Sequence, residues 1–282
     1  MSTEMINCPY CGSSNFKPWA EELGFTTVRC ECRLLYVNPR PTQEAIHIAV
    51  STGIHSDEAG NLNAKARRTP KRIGMYRKIF ARMYADVWAR GEPISWLDIG
   101  AGYGEILEAI TSLAAAGSRL EGLEPMHPKA VAARKLGLTI TEDYLRPTHE
   151  KVQFTSSIDV LSHIPDYGRF LNDVVSVLAP GGELFVETGN LADLEYRSDF
   201  MGELGTPDHL VFVGMEHLRG YLDRAGFDIV TVEETRHDGL IQFAKNVVKR
   251  ILGRPITLVV PYTSRYRQIL VRARLRQQPS EG

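Results

Sequence analysis

Beyond residue 93, short apolar runs alternate along the chain with segments in which apolar residues recur every three or four positions. The runs predict strands at 94–99, 120–123, 138–141, 152–158, 184–188, 227–233 and 269–275. The segments between them predict helices at 105–116, 128–136, 167–178 and 216–225, and an inserted helix at 241–252. Such alternation is typical of a parallel sheet with helices on both faces. We therefore expect an α/β domain over residues 93–282, built on a seven-stranded, mostly parallel sheet.

The first 41 residues have a different pattern, with strand-like runs at 25–28 and 34–37 and two pairs of cysteines. These are the only cysteines in the sequence: Cys8, Cys11, Cys30 and Cys32. A hairpin of this size holds no core of its own, so four thiolates on one Zn²⁺ would supply its folding free energy. We predict a small zinc-ribbon-like β module over residues 1–41 with a closed, structural metal site. The second pair has one intervening residue instead of the usual two, so the alternative is a ribbon that has lost its metal.

Residues 42–92 are expected to connect the two parts. The module ends at Asn38-Pro39-Arg40-Pro41, because a residue that precedes proline is biased toward extended backbone. A polar stretch follows at 51–63. Beyond it, apolar residues at helical spacing predict an amphipathic helix that packs on the next domain and turns its basic side outward. These residues are Ile73, Tyr76, Phe80, Met83, Tyr84, Val87 and Trp88.

The 282 residues contain 33 lysines and arginines and 34 acids, a net charge of -1, but the cations are unevenly placed. Residues 65–90 contain nine cations and one acid, and residues 245–276 contain nine cations and no acid. Two basic segments on an acidic remainder favour a local anionic partner, such as a phosphorylated or nucleotide-linked acceptor, over a general nucleic-acid surface. The alternative is two solvated helix faces.

Membrane and export signals are missing from the pattern. No apolar run approaches the ~20 residues of a membrane-spanning helix, and the N-terminal residues lack the apolar core of a signal peptide. We expect a cytoplasmic protein without a membrane span. A reducing compartment favours a metal site over disulfides for the clustered cysteines. The oligomeric state stays open.

The strand at 94–99 runs into glycines that open the next helix, in the segment Leu97-Asp98-Ile99-Gly100-Ala101-Gly102-Tyr103-Gly104. Glycines let a ligand approach the backbone closely, and ligands of open α/β sheets bind at the carboxyl ends of strands. A dinucleotide site has the spacing Gly-x-Gly-x-x-Gly, whereas this segment has acid-x-Gly-x-Gly-x-Gly. Asp98 would repel a pyrophosphate and attract a cationic amino group. The segment therefore favours S-adenosylmethionine as the ligand.

A second acid supports this interpretation, because Glu124-Pro125 ends the next strand, where a carboxylate can accept hydrogen bonds from both ribose hydroxyls. With these two motifs, residues 70–275 resemble the class I S-adenosylmethionine-dependent methyltransferases, which have a Rossmann-like fold. Two further segments carry the resemblance, 159–166 (Asp-Val-Leu-Ser-His-Ile-Pro-Asp) and 178–182 (Leu-Ala-Pro-Gly-Gly). The cysteine module followed by Tyr-Val-Asn-Pro-Arg-Pro at 36–41 looks like a bacterial subgroup often associated with surface-glycan and secondary-metabolite pathways.

The resemblance implies transfer of the sulfonium methyl group to an acceptor by in-line displacement. It implies that Asp98 orients the methionine end of the cofactor and that Glu124 holds the ribose. Asp143 would meet the adenine edge, unless it is a solvated loop acid. The complete set of expected cofactor-binding residues is Asp98, Gly100, Ala101, Gly102, Tyr103, Glu124, Pro125, Asp143 and Asp159.

Oxygen is the expected acceptor atom. The fourth strand lacks an Asn/Asp-Pro-Pro-aromatic tetrad, which disfavours nucleobase amino groups, and no cysteine remains for attack on a pyrimidine ring. We expect O-methylation of a sugar, nucleotide-linked sugar or glycan in polysaccharide biosynthesis. The alternatives are an RNA methyltransferase whose ribbon binds RNA, a C-methyltransferase of secondary metabolism, and a non-catalytic cofactor-binding protein. Residues 1–32 carry two cations against four acids, which disfavours RNA.

Two histidines are candidates for a general base that would take the hydroxyl proton. His163 follows the fourth strand, and His209 lies between the fifth strand and the next helix, in a region expected to cover the acceptor. An imidazole titrates at about pH 6.5 and can accept such a proton. Position favours His163, although the related enzymes have an acid before this histidine where this chain has Ser162. The alternative is a structural histidine at the turn before Pro165.

Overall fold

The computed structural model describes residues 2–52, 68–147, 149–200, 202–235, 240–253 and 265–277. The strands are β1 (Thr3–Glu4), β2 (Phe16–Glu22), β3 (Phe25–Cys30), β4 (Leu35–Val37), β5 (Arg40–Pro41), β6 (Ser95–Ile99), β7 (Arg119–Leu123), β8 (Ile140–Thr141), β9 (Val152–Ile158), β10 (Leu178–Gly189), β11 (Val211–Phe212), β12 (Phe227–Thr235) and β13 (Gln268–Leu275). The α-helices are α1 (Gln43–Thr52), α2 (Pro70–Met83), α3 (Ala85–Trp88), α4 (Glu105–Thr111), α5 (His127–Arg134), α6 (Tyr167–Val177), α7 (Met215–Arg224) and α8 (Leu240–Ile251). Short 3₁₀ helices lie at Leu161–His163, Leu191–Asp193 and Arg197–Asp199.

The α/β domain is built on a seven-stranded sheet in the order β12-β13-β10-β9-β6-β7-β8. The strands from β8 to β10 in this order are parallel, and β13 runs antiparallel between β10 and β12. The predicted α/β class and the seven-stranded, mostly parallel sheet are confirmed. Because the parallel strands all end at one edge, the loops after β6, β7 and β9 meet there.

Two predicted helices end earlier than their apolar spacing suggests. The helix expected over 105–116 stops at Thr111, where the hydroxyls of Thr111 and Ser112 donate to helix carbonyls of the preceding turn. The single basic helix expected through Trp88 breaks at Tyr84, where α2 gives way to α3. The indole of Trp88 donates to the Phe80 carbonyl at 2.8 Å, and the buried Tyr84 packs among aromatic rings.

Each face of the sheet carries its own apolar core. On one face, α2 packs on the sheet through Phe80 and Tyr84, whose rings contact Trp96 of β6 and Phe185 of β10. This packing is the one that the apolar spacing of α2 predicts. On the other face, α6 and α7 cover the sheet, and their buried residues share one cluster with residues of the cysteine module.

The cysteine module is a four-stranded antiparallel sheet in the order β11-β4-β3-β2. Its edge strand β11 comes from the loop after β10, and Val211 pairs with Tyr36 of β4. Cys8 and Tyr36 belong to the same apolar cluster as Val174 of α6. The boundary at residue 41 stays a prediction, but the described residues on its two sides share a core. The expected polar stretch at 51–63 falls mostly outside the described residues.

Candidate functional site

A cavity of about 610 Å³ opens at the carboxyl ends of β6, β7 and β9. Its size is in the range of small-molecule sites. Both candidate bases line it, as do all the expected cofactor-binding residues except Asp98, namely Gly100, Ala101, Gly102, Tyr103, Glu124, Pro125, Asp143 and Asp159. Sequence-predicted residues from five separate loops, those after β6, β7, β8, β9 and β10, therefore meet in one place.

The glycine-rich segment turns sharply out of β6. The backbone N–H groups of Gly100 and Ala101 both donate to the Leu123 carbonyl at 2.8 Å, and Gly100 has a left-handed φ of +74°. A Cβ atom on Gly100 would lie 2.4 Å from Val160 Cγ2. From the sequence, this glycine is expected to leave space for the ligand, whereas in the structure the nearest obstacle to a Cβ atom is the Val160 side chain on the cavity wall.

Glu124 connects two loops at the cavity wall. Its Oε2 accepts a hydrogen bond from the Gly102 N–H at 2.7 Å, and its Oε1 accepts one from the Met126 N–H at 2.9 Å. The side chain is buried, yet it lines the cavity. Because each carboxylate oxygen has a second lone pair, Glu124 can also accept hydrogen bonds from a ligand.

Asp98 lies behind the cavity wall and is only 1% exposed. Its Oδ1 accepts a hydrogen bond from Ser156 Oγ at 2.5 Å, and its Oδ2 has no hydrogen-bond partner among the described residues. Burial raises the pKa of this carboxyl to about 7. A direct contact between Asp98 and a ligand stays a prediction, but a buried oxygen without a partner is what a cationic ligand group would satisfy.

The raised pKa predicts how pH affects the stability of the ligand-free protein. The unfolded chain releases the Asp98 proton at about pH 4 and the folded protein at about pH 7, so stability falls as the pH rises through this window. In the wild type the loss of stability is about 4 kcal/mol over the full window, of which about 3 kcal/mol falls between pH 5 and pH 8, and Asp98→Asn should not show it. Urea unfolding at pH 5 and pH 8 measures the change, with Asp173→Asn in the same cavity as the control. Equal pH dependence in wild type and Asp98→Asn would contradict it.

The two remaining predicted acids already have arginine partners. Asp143 Oδ1 accepts from the Tyr144 N–H and from Arg146, both at 2.8 Å. Asp159, which has a left-handed φ of +57°, pairs with Arg72 at 2.8 Å. Both acids line the cavity, so a ligand there would meet ion pairs at these positions and not isolated carboxylates.

Most described arginines of the two basic segments have partners within the fold. Only Arg72 of these segments lines the cavity among the described residues, and Arg67 lies outside them. The other pairs are Arg68 with Glu108, Arg82 with Glu233, Arg90 and Arg272 with Asp86, Arg267 with Glu234, Arg272 and Arg274 with Glu183, and Arg276 with Asp223 and Asp228. Most described arginines of the two segments are thus neutralised within the fold, and the described cations do not gather around the cavity.

His163 is held by Asp208, which the sequence analysis missed as a functional residue. The His163 Nδ1 atom lies 3.0 Å from the Asp208 carbonyl oxygen and 3.1 Å from its Oδ1. Since both are acceptors, Nδ1 carries the proton and Nε2 keeps a lone pair. Burial lowers the pKa of His163, but the hydrogen bond and charge of Asp208 outweigh it, and the pKa is raised overall. The position of Asp208 beside His209 in sequence was the available signal.

His209 has a different environment, although the two imidazole rings are 4.7 Å apart. Its Nδ1 lies 2.7 Å from the Leu204 carbonyl oxygen. Burial lowers the pKa of His209, and the neighbouring His163 lowers it further. Of the two candidate bases, His163 is therefore better placed, because its carboxylate partner would stabilise the imidazolium that proton transfer would form.

Helix α1 is a second feature that the sequence analysis missed. It was expected to be part of a linker, but its residues line the cavity: Gln43, Ile46, His47, Ala49 and Val50. Tyr144 stacks near His47, with ring centroids 5.3 Å apart, which links α1 to the loop after β8. The helix that follows the cysteine module thus contacts the α/β domain at the site.

The four cysteines meet as a metal site requires. Cys8 Sγ and Cys32 Sγ are 3.6 Å apart, Cys11 Sγ and Cys30 Sγ are 3.5 Å apart, and all four sulfurs lie within 4.8 Å of one another. Tetrahedral Zn²⁺ with bonds of about 2.3 Å separates its sulfur ligands by about 3.8 Å, so the arrangement fits. Arg33, which follows the second pair of cysteines, takes a left-handed φ of +73°, close to the +77° of Gly12, which follows the first pair. The backbone therefore makes a similar turn after each pair, although the second pair has one intervening residue fewer.

We propose that these thiolates hold one structural Zn²⁺, which would make the metal part of the fold. Elemental analysis should find near-stoichiometric zinc in the wild type and much less in Cys8→Ser, with a lower melting temperature. Lys17→Ala on β2 of the same module is the control and should keep its zinc. A metal-free wild type that melts like Cys8→Ser would overturn the assignment.

Comparisons with known proteins agree with this fold. The profile of the family described as "Methyltransferase domain" matches residues 70–232. A ubiquinone biosynthesis O-methyltransferase from Methylobacterium sp. is 28% identical over 195 residues, 63% of this chain and 72% of that protein. One from Caulobacter vibrioides is 29% identical over 171 residues, 54% of this chain and 68% of that protein.

Solved structures were also compared. Magnesium protoporphyrin IX methyltransferase from Synechocystis, with bound S-adenosylmethionine, is 12% identical with a TM-score of 0.48, and the match covers 76% of this chain and 86% of that one. An S-adenosylmethionine-dependent methyltransferase from Mesorhizobium loti is 19% identical with a TM-score of 0.46, covering 67% and 96%.

Proposed function

Because the chain belongs to the methyltransferase domain family, we propose that it transfers the methyl group of S-adenosylmethionine to a hydroxyl oxygen of a small molecule. The observation that carries this proposal is the shared cavity, in which the glycine-rich segment, the Glu124 carboxylate and the pair of His163 with Asp208 face the same space. The relatives named O-methyltransferase support an oxygen acceptor.

The residues of the site suit this cofactor. Glu124 would accept hydrogen bonds from the ribose hydroxyls, and the backbone of Gly100 to Tyr103 would lie against the cofactor. The unpartnered Oδ2 of Asp98 suits a cationic group at the methionine end. When bound, the cofactor supplies an electrophilic methyl group on a sulfonium.

The remaining chemistry falls to the chain's own residues. His163 Nε2 would accept the acceptor's hydroxyl proton as the new bond to oxygen forms. Asp208 keeps the imidazole in the tautomer that can accept this proton and stabilises the positive charge that results. Walls on α1 and α6 would position the acceptor, and positioning supplies much of the acceleration in such displacements.

The charge of the cavity argues against an anionic acceptor. Three cations line it, Arg72, Lys129 and Arg169, against seven acids: Glu105, Glu124, Asp143, Asp159, Asp166, Asp173 and Asp208. The expected phosphorylated or nucleotide-linked acceptor therefore finds no support in the described lining. Nucleic acid is disfavoured for the same reason.

Two neutral acceptor classes fit different parts of the lining. A sugar or glycan hydroxyl, the class expected from sequence, would find hydrogen-bonding partners in Gln43, His47 and Asp166. A phenol would suit the apolar residues Ile46 and Phe170, and the relatives' role in ubiquinone biosynthesis favours this second class. We therefore propose the phenol as the first acceptor class and the carbohydrate as the second.

A transfer assay with methyl-labelled S-adenosylmethionine tests the proposed function. The purified enzyme is offered neutral glycans, nucleotide sugars, phenols and RNA in parallel, and S-adenosylhomocysteine release is measured with label transfer. A labelled methyl group bound to an oxygen of a neutral small molecule is the expected result. Label found only on RNA or only on carbon would contradict the proposal.

A further inference from the structure

Helix α8, inserted between β12 and β13, has an apolar half and a basic half. At 100° per residue, Leu240, Ile241, Ala244, Val247, Val248 and Ile251 of its sequence fall on one side of a helical projection. The other side contains Lys245, Lys249 and Arg250, and no acid occurs in 240–253. Such a pattern is typical of a helix that buries its apolar half against something.

The apolar half of α8 is exposed where its side chains are described. Val248 is 54% exposed, Ile251 is 78% exposed, and Leu252 just beyond the helix is 61% exposed. Arg250 is also exposed. At a rise of about 1.5 Å per residue, this helix is too short to cross the ~30 Å core of a bilayer. In the described residues, no helix is long and apolar enough to do so.

Exposed cations of α2 lie at the edge from which the chain enters α8. Lys71, Arg77 and Lys78 line a shallow concavity together with Thr235, the last residue of β12, and α8 starts at Leu240. Within the part of the chain that the structure describes, these three cations form no ion pair, unlike most arginines of the basic segments.

We propose that α8 and the exposed cations of α2 bind an anionic lipid surface. The helix would lie in the interface plane, with Val248 and Ile251 among the headgroups and upper acyl chains. Arg250 and the α2 cations would lie near the lipid phosphates, where each cation contributes favourably to the free energy of membrane binding. The proposal explains the unpaired members of the two basic segments, which the cavity does not use.

A lipid surface satisfies both features of this region. An RNA backbone would pair with the cations but would leave the apolar side chains of α8 in water. An apolar protein surface would cover those side chains but would leave the flanking cations unpaired. The interface of an anionic bilayer provides apolar and negatively charged groups at adjacent depths.

Co-sedimentation of the full-length protein with lipid vesicles tests this proposal. Vesicles of phosphatidylcholine alone are compared with vesicles that also contain phosphatidylglycerol. Wild type should bind the anionic vesicles, and Val248→Asp with Ile251→Asp, or Lys249→Gln with Arg250→Gln, should weaken partitioning roughly 10-fold or more. The matched control is Lys135→Gln with Leu136→Asp after α5, where Leu136 is 51% exposed, near the opposite edge strand β8.

The control variant should partition like wild type, and circular dichroism should give the same melting curve for all four proteins. No binding of wild type to anionic vesicles would overturn the proposal. Equal binding of wild type and both α8 variants would overturn it too. A third outcome would assign the surface to nucleic acid instead. In it, wild type binds no vesicles but retains a labelled RNA, and the variant with Lys249→Gln and Arg250→Gln loses that RNA.

Discussion

Replacing His163 with alanine should lower turnover on the true acceptor by roughly 10²–10⁴-fold, the range of general acid/base catalysis. Affinity for S-adenosylhomocysteine should stay nearly unchanged, because the imidazole is held by Asp208 and not by the glycine-rich segment. Steady-state methyl transfer and calorimetry measure the two effects separately. His209→Ala is the control, and its loss of turnover should be much smaller.

Asp208→Asn should leave the imidazole in place and change its titration. Asp208 raises the pKa of His163, while burial lowers it, so removing the carboxylate charge lowers the pKa of the base. The base must be neutral to accept a proton, so the acidic limb of the kcat/KM profile should move to lower pH. For the first variant, His163→Ala, a turnover close to that of the wild type would contradict the role of His163 as the base. Positioning alone, or another residue, would then support methyl transfer.

Gly100→Ala should weaken S-adenosylhomocysteine binding roughly 10- to 100-fold, the effect of overpacking a closely packed wall. The new Cβ would lie 2.4 Å from Val160 Cγ2, so Val160 or the glycine-rich segment must move. Both line the cavity, and either movement reshapes it. Calorimetry measures the loss, and the bulkier Gly100→Val should remove detectable binding.

Gly137→Ala separates this steric effect from backbone strain. Gly137 has a left-handed φ of +82°, close to the +74° of Gly100, but a Cβ there would meet nothing within 4 Å. Both variants should lose about 1–2 kcal/mol of folding stability, because alanine is strained in a left-handed backbone conformation. Only Gly100→Ala should also reshape the cavity. Equal affinities in the two variants would show that the wall at Val160 does not matter for binding.

The sheet and its glycine-rich segment could be predicted because their signals are local. Strand β6, the glycines after it and Glu124 at the end of β7 are each recognisable within a few residues. Parallel strands then bring their carboxyl ends together without further information. The same reasoning placed His163 at the cavity, since it follows β9 closely.

The features that sequence reasoning missed depend on contacts between distant residues. His163 and Asp208 are 45 positions apart, and their pairing is set by how the loop after β10 folds back. Strand β11 has two residues, too few for a periodic signal, and it forms only because β4 offers an edge. Arg272 of β13 forms an ion pair with Glu183 of the neighbouring strand β10, so the second basic segment has fewer free cations than its sequence suggests.

Calorimetric titration of the wild-type protein with S-adenosylhomocysteine tests the central claim most directly, because every proposed role around the cavity depends on this ligand family. NAD, whose pyrophosphate an acid at position 98 is expected to disfavour, is titrated in parallel under the same conditions. We predict saturable binding of S-adenosylhomocysteine with a stoichiometry near one and no binding of NAD. Saturable binding of NAD with none of S-adenosylhomocysteine would contradict the account.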